Sequence, residues 1–354
     1  MKMQHHSRKT YRRFFKHFGW TIFHLHPANI SARQSVLFSL LILLTLIAGD
    51  LLGQRAMGAW GALAGMLFMI CDRPGTLRER YTFLILAGLF IFAFSVVGAL
   101  LTYRSLPFWI IFVLTGLVAG WVGAAVPGRA LPLRFGMILL VGIATTPMVS
   151  PFVLVVVGII WCVVAGLRPL FPAQRPAVLP PAAHPASRGW FALAYMLAAA
   201  MAILISGWVG LTRPSWIVAT TLFVLQPAAL ASFARILQRI IGTALGVGLL
   251  YLLLVVEPNA YVLFVAAGLA AAALPWAQGS NYGLFCMVVT VLVILLFELG
   301  LGKIDVGMAL ERGLDVVIGC GIALGATILL SPFVVSKRAR ESERTLLSKT
   351  ERFR

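Results

Sequence analysis

Apolar runs recur along almost the whole chain from Ser35 to Phe333, and a bilayer core of about 30 Å is crossed by roughly 17 to 25 such residues in a helix. This feature decides the fold class. Lipid offers no partner for a backbone N–H or C=O, so runs of this length must satisfy themselves as helices. Of the 354 residues, 60% are hydrophobic and 11% charged, whereas soluble domains carry about 25% charged residues. A soluble core is excluded, and the expected fold is an all-α polytopic transmembrane helical bundle.

Divided at Gly, Pro and charge punctuation, the runs fall near 35–53, 57–71, 81–102, 107–126, 131–147, 150–167, 190–210, 214–228, 234–256, 259–276, 281–299 and 309–332. About twelve spans are therefore expected. The second and eighth look short, and the joint from Thr145 to Pro151 also reads as one broken helix, which would give eleven.

Basic residues set the orientation. With the N-terminus in the cytoplasm, all of the 29 Lys and Arg residues except Arg55, Arg104, Arg213, Lys303 and Arg312 fall on the inside. Both termini are then cytoplasmic and the number of crossings is even. The net charge of +18 is thus topogenic rather than a nucleic-acid signal, and the basic tails suit anionic lipid. Residues 1–34 form a basic segment without the apolar core of a cleaved signal peptide. Within it Tyr11, Phe14, Phe15, Phe18 and Ile22 lie at helical spacing among basic residues, which reads as an interfacial helix or as an unstructured tail.

Pro169, Pro172, Pro176, Pro180, Pro181 and Pro185 mark 168–189 as an extended cytoplasmic linker, because proline removes donors and disfavours helix. It separates a first transmembrane repeat, 35–167, from a second, 190–333, with a basic tail over 334–354. An internal duplication supports that division. Gly58-Ala59-Trp60, an apolar run, Asp72-Arg73-Pro74, Arg78 and Arg80 find counterparts about 155 residues later. These are Pro214-Ser215-Trp216, an apolar run, Gln226-Pro227, Arg235 and Arg239. Two six-helix repeats entering from the same side are parallel, and the cleft between them is the default path.

Ionisable groups in lipid are expensive and point to function. Arg235 and Arg239 lie on one helix face, ahead of Gly242, Gly246 and Gly248, which allow close helix approach. They read as an anion site or as headgroup anchors. Glu311, Arg312 and Asp315 open the last span. The two carboxylates offer a proton-coupling element, or they pair locally with Arg312. Glu298 and Asp50 are further proton or counter-charge candidates, or helix ends. Cys71, Cys162, Cys286 and Cys320 stand singly in apolar runs, and the histidines lack ligand spacing, so no metal or cofactor is expected.

Arg213-Pro-Ser-Trp216, Phe223-Val-Leu-Gln-Pro227, Arg235, Arg239, Gly242-Thr243 and Gly246 resemble the hallmark segment of the fusaric acid resistance family, the aromatic acid exporters. Glu311-Arg312, Leu314-Asp315 and Ile318-Gly319 resemble its closing helix. The resemblance implies a non-enzymatic inner-membrane exporter of aromatic or hydrophobic carboxylic acids. Arg235, Arg239, Trp216, Gln226 and Arg312 would bind substrate, and Glu311, Asp315 and Glu298 would couple protons. The expected partners are the lipid bilayer, a small organic anion, and a second copy of the chain or an envelope accessory protein, without nucleic acid. A passive anion channel of the same fold and a non-transporting assembly subunit are the alternatives.

Overall fold

The computed structural model describes residues 25, 30–71, 75–126, 128–145, 151–170, 185–256, 259–301 and 306–351. Among them stand twelve α-helices: α1 (Ala32–Leu51), α2 (Arg55–Ile70), α3 (Leu77–Leu100), α4 (Leu106–Ala125), α5 (Leu131–Thr145), α6 (Pro151–Leu167), α7 (Pro185–Val209), α8 (Pro214–Val224), α9 (Ala229–Val255), α10 (Ala260–Ser280), α11 (Tyr282–Leu301) and α12 (Val306–Glu351). A 3₁₀ turn over Arg168–Leu170 extends α6. Several starts are written locally. Ser31, Ser105 and Asn259 cap α1, α4 and α10, and Thr76 with Glu79 forms a capping box on α3, each satisfying amides that the first helical turn leaves open.

Nine of these helices are long and apolar enough to cross a membrane, while α2, α5 and α8 are shorter. At 1.5 Å per residue the eleven residues of α8 rise about 16 Å, half the bilayer core. Pro214 opens α8, and Gln226-Pro227 follows its C-cap Leu225, so sequence punctuation that was read as bounding a span bounds a half-length helix. Two further boundaries differ from expectation. Helix α7 begins at Pro185, inside the proline-rich stretch, because proline is tolerated in the first turn. The basic stretch after 333 continues α12 as helix to Glu351. The interfacial helix expected around Tyr11–Ile22 lies outside the described residues.

Large apolar side chains, among them Leu44, Leu114, Leu204, Leu252 and Leu269, are exposed on the outer surface. In water such a surface would aggregate, and in lipid it is the solvated face. Inside, the packing does not follow the order of the chain. One core joins α1 and α2 to α10 and α11, and the other joins α4 and α5 to α7 and α8. Helix α10 lies against α1, α11 against α2, α4 against α7 and α5 against α8. The two sequence halves are thus interlocked rather than set side by side. Glycine permits a close approach between α9 and α11. A Cβ at Gly242 would collide with the Gly283 carbonyl oxygen, and one at Gly246 would stand 2.8 Å from that of Met287.

Candidate functional site

The short helices α2, α5 and α8 meet α11 around a cavity of about 450 Å³. Gln54, Met57 and Trp60 approach from α2 and its N-cap, Thr145 from α5, Arg213, Ser215 and Trp216 from α8 and its N-cap, and Phe297 from α11. Trp60 and Trp216, the residues that head the sequence duplication, line the same space. Of the substrate-binding and proton-coupling residues nominated from sequence, Trp216 lines this cavity and the others do not.

Trp216 is buried and has two guanidinium groups against its ring. The Arg213 Cζ lies 5.1 Å from its ring centroid and the Arg312 Cζ 5.0 Å, within the range where a cation is attracted to the ring face. Phe297 packs against the same indole at 5.6 Å, and Arg213 lies 5.4 Å from the Phe297 ring as well. The Arg312 Nη1 donates to the Trp216 carbonyl at 3.4 Å, which joins α12 to α8.

From there the arginines continue along α8. Arg239 is buried; its Nη2 donates to Thr220 Oγ1 at 3.5 Å and its Nη1 to Cys286 Sγ at 3.4 Å, while its Nε has no hydrogen-bond partner among the described residues. Arg235, one turn earlier on α9, donates to the Phe223 carbonyl at 3.2 Å and lies 4.8 Å from the Tyr282 ring. Arg134, from α5, lies over Phe223 and Tyr195 at 5.9 and 5.5 Å. Trp216, Thr220 and Phe223 follow one another at about one helical turn, so α8 is the spine of a column of five arginines.

The carboxylates gather at one end of that column. Glu311 accepts from the Thr212 amide at 3.1 Å, from its hydroxyl at 2.7 Å and from Arg213 Nη1 at 3.1 Å. Its partner is thus Arg213 rather than the neighbouring Arg312. Asp315 is completely buried, and both carboxylate oxygens lack a hydrogen-bond partner among the described residues. Among the described residues Arg235, Arg239 and Arg312 form no ion pair. Glu298 is buried in α11. Asp50 pairs with Arg55 across the turn from α1 to α2, away from the column. Gln226 is occupied locally: its Nε2 donates to the Phe223 and Leu225 carbonyls, and its backbone N–H donates to Ser232 Oγ, closing the end of α8.

Sequence reasoning assigned Arg213 and Arg134 to topology and passed over Phe297, Tyr282 and Thr220. The available signal for Arg213 was its place immediately before Pro-Ser-Trp. For Tyr282 there was none, and for Phe297 only its place beside Glu298 in the otherwise apolar α11.

Residues 189–326 match a family described as fusaric acid resistance protein-like. The inner membrane protein YccS of Escherichia coli (strain K12) is 36% identical over 126 residues, which is 35% of this chain and 17% of that protein. An uncharacterized protein of Haemophilus influenzae (strain ATCC 51907 / DSM 11121 / KW20 / Rd) is 32% identical over 117 residues, 33% of this chain and 16% of its own. The match thus spans about one sixth of the length of these curated relatives. No solved structure matches. The resemblance carried by Arg213-Pro-Ser-Trp216, Arg235 and Arg239 therefore holds over the second half, and the chain carries a fusaric acid resistance protein-like domain that contains α8 and four of the five arginines beside it.

Proposed function

We propose that the protein is an inner-membrane exporter of small organic anions, chiefly aromatic or other hydrophobic carboxylic acids. The observation that carries this reading is the pair of buried guanidinium groups of Arg239 and Arg312, with the half-buried Arg235 beside them, which form no ion pair among the described residues. A cation held in the membrane costs about 2.5–3.5 kcal/mol on insertion scales. A group retained at that cost without a carboxylate partner suits a ligand of opposite charge. The cavity beside it offers the matching apolar surface, with Trp60, Trp216 and Phe297 for a ring and Arg213 for a carboxylate.

Two parallel six-helix repeats with both termini in the cytoplasm fit this role. The packing of α1 on α2, α2 on α6 and α3 on α5 has counterparts in α7 on α8, α8 on α12 and α9 on α11, and the exchanged pairs α1 with α10 and α7 with α4 correspond as well. Such correspondence supports a duplicated unit whose axis passes near the shared cavity. The printed description of YccS as an inner membrane protein supports the choice of membrane.

Export is driven by the proton or potential gradient. Asp315 is the strongest coupling candidate: a carboxylate buried without donors is costly when charged, and a bound proton removes that cost. Glu311, held by Thr212 and Arg213, links the cavity cation to the same helix. The test is flux of a labelled aromatic carboxylate in proteoliposomes under an imposed pH gradient or potential. Saturable flux stimulated by either gradient supports the reading; flux no faster than in protein-free liposomes overturns it.

A further inference from the structure

The central cavity adjoins a second one. A groove of about 690 Å³ runs between α1 and α6, and Gln54 and Met57 line both spaces. The groove extends from Leu37 and Leu167 at one end to Leu52 and Gln54 at the other, about 22 Å along α1 at 1.5 Å per residue. Its wall is apolar but for two side chains. The Thr45 hydroxyl is occupied by the Leu41 carbonyl at 2.6 Å, which leaves Gln54 at the junction with the cavity. Leu40, Leu44 and Ile159 are exposed along it, so the groove faces the lipid side. The corresponding helices of the other half, α7 and α12, pack against each other. The groove is thus an asymmetry in an otherwise matched arrangement.

We propose that this groove is a lateral entrance through which a single-chain amphiphilic carboxylate reaches the cavity from the bilayer, its chain lying along α1 and α6 and its carboxylate at Arg213. The inference rests on the anion reading above and narrows its substrate class. An apolar groove in lipid favours an acyl chain over water, and a chain-bearing acid is already concentrated in the bilayer by burial of its methylenes. The groove itself offers no cation, whereas the adjoining space, which shares Gln54 and Met57 with it, has Arg213 over Trp216 and Phe297. An anionic head joined to an apolar chain matches the two spaces in sequence, with Gln54 where the polarity changes.

The experiment uses the full chain in phosphatidylcholine liposomes and a diazirine-bearing palmitate as photolabel. Labelling is expected in peptides covering residues 37–52 and 156–167. Palmitate should displace it at least tenfold better than methyl palmitate. Leu44→Trp and Ala48→Trp, which fill the groove, should abolish it while benzoate flux stays within twofold of native. Labelling spread over other lipid-facing helices such as α4 and α7, equal displacement by acid and ester, or labelling that persists in monodisperse tryptophan variants would each overturn the entrance. Acid-selective labelling in a protein that moves no benzoate would uphold the entrance and sink the transport reading alone.

Discussion

The Arg213 guanidinium, which lines the central cavity, donates to the Glu311 carboxylate at 3.1 Å. This contact ties a cation that lines the cavity to the helix that also carries Arg312 and Asp315, so a change on α12 is felt where the anion's carboxylate is proposed to bind.

Replacing Glu311 with Gln should free Arg213 and tighten anion binding, because the competing carboxylate is removed. The cost falls on stability. Losing a charge-assisted hydrogen bond is worth about 1.5–3 kcal/mol, reduced here because both side chains are partly exposed. Titration of the tryptophan fluorescence with benzoate should give a lower Kd, and thermal unfolding a lower Tm.

Asp315→Asn should uncouple flux from the pH gradient while preserving flux driven by a potential. The amide keeps the shape of a completely buried side chain and cannot take up a proton. Proteoliposomes assayed under each gradient separately give the readout. A variant that still responds fully to the pH gradient would remove Asp315 from the coupling role.

Gly242→Leu and Gly246→Leu should abolish monodisperse expression, because each drives a side chain into the α11 backbone, and overpacking of about 1–3 kcal/mol or more is not relieved by moving a flexible neighbour. Gly248 meets nothing within 4 Å, so Gly248→Leu should be recovered at native yield. Size-exclusion profiles of the three variants make the comparison.

The approximate bounds of the twelve described helices were legible in the sequence because Gly, Pro and charge bound each apolar run. About twelve spans were expected, however, where nine of these helices are long enough to cross. The pairing of helices was not legible. Faces as uniformly apolar as those of α4 and α10 carry no mark that sends one to α7 and the other to α1. At the site, Arg213, Trp216, Arg235 and Arg239 stand in a compact motif, whereas Arg134 and Arg312 reach α8 from two separate segments. The single-file order along Trp216, Thr220 and Phe223 arises only once α9 and α12 are packed on that short helix. The helical continuation of α12 was missed because its charge was read as a tail, although Glu341, Glu343, Leu346 and Leu347 are good helix formers.

Orientation can be checked at two exposed helix starts. Leu106 and Leu77 begin α4 and α3 and are exposed. With both termini cytoplasmic, Leu106→Cys should react with a membrane-impermeant maleimide in intact cells, and Leu77→Cys only after permeabilisation. The reverse pattern would invert the topology.

The most direct measurement is carboxylate flux through purified protein in liposomes, comparing the native chain with Arg239→Gln and Arg239→Lys. Arg239 is buried, has no ion pair among the described residues, and stands at the middle of the column. Saturable flux in the native protein, at least a tenfold loss in Arg239→Gln and partial recovery in Arg239→Lys are the results expected of an anion carrier. Native flux no greater than that of empty liposomes, or a glutamine variant as active as the native chain, would contradict it.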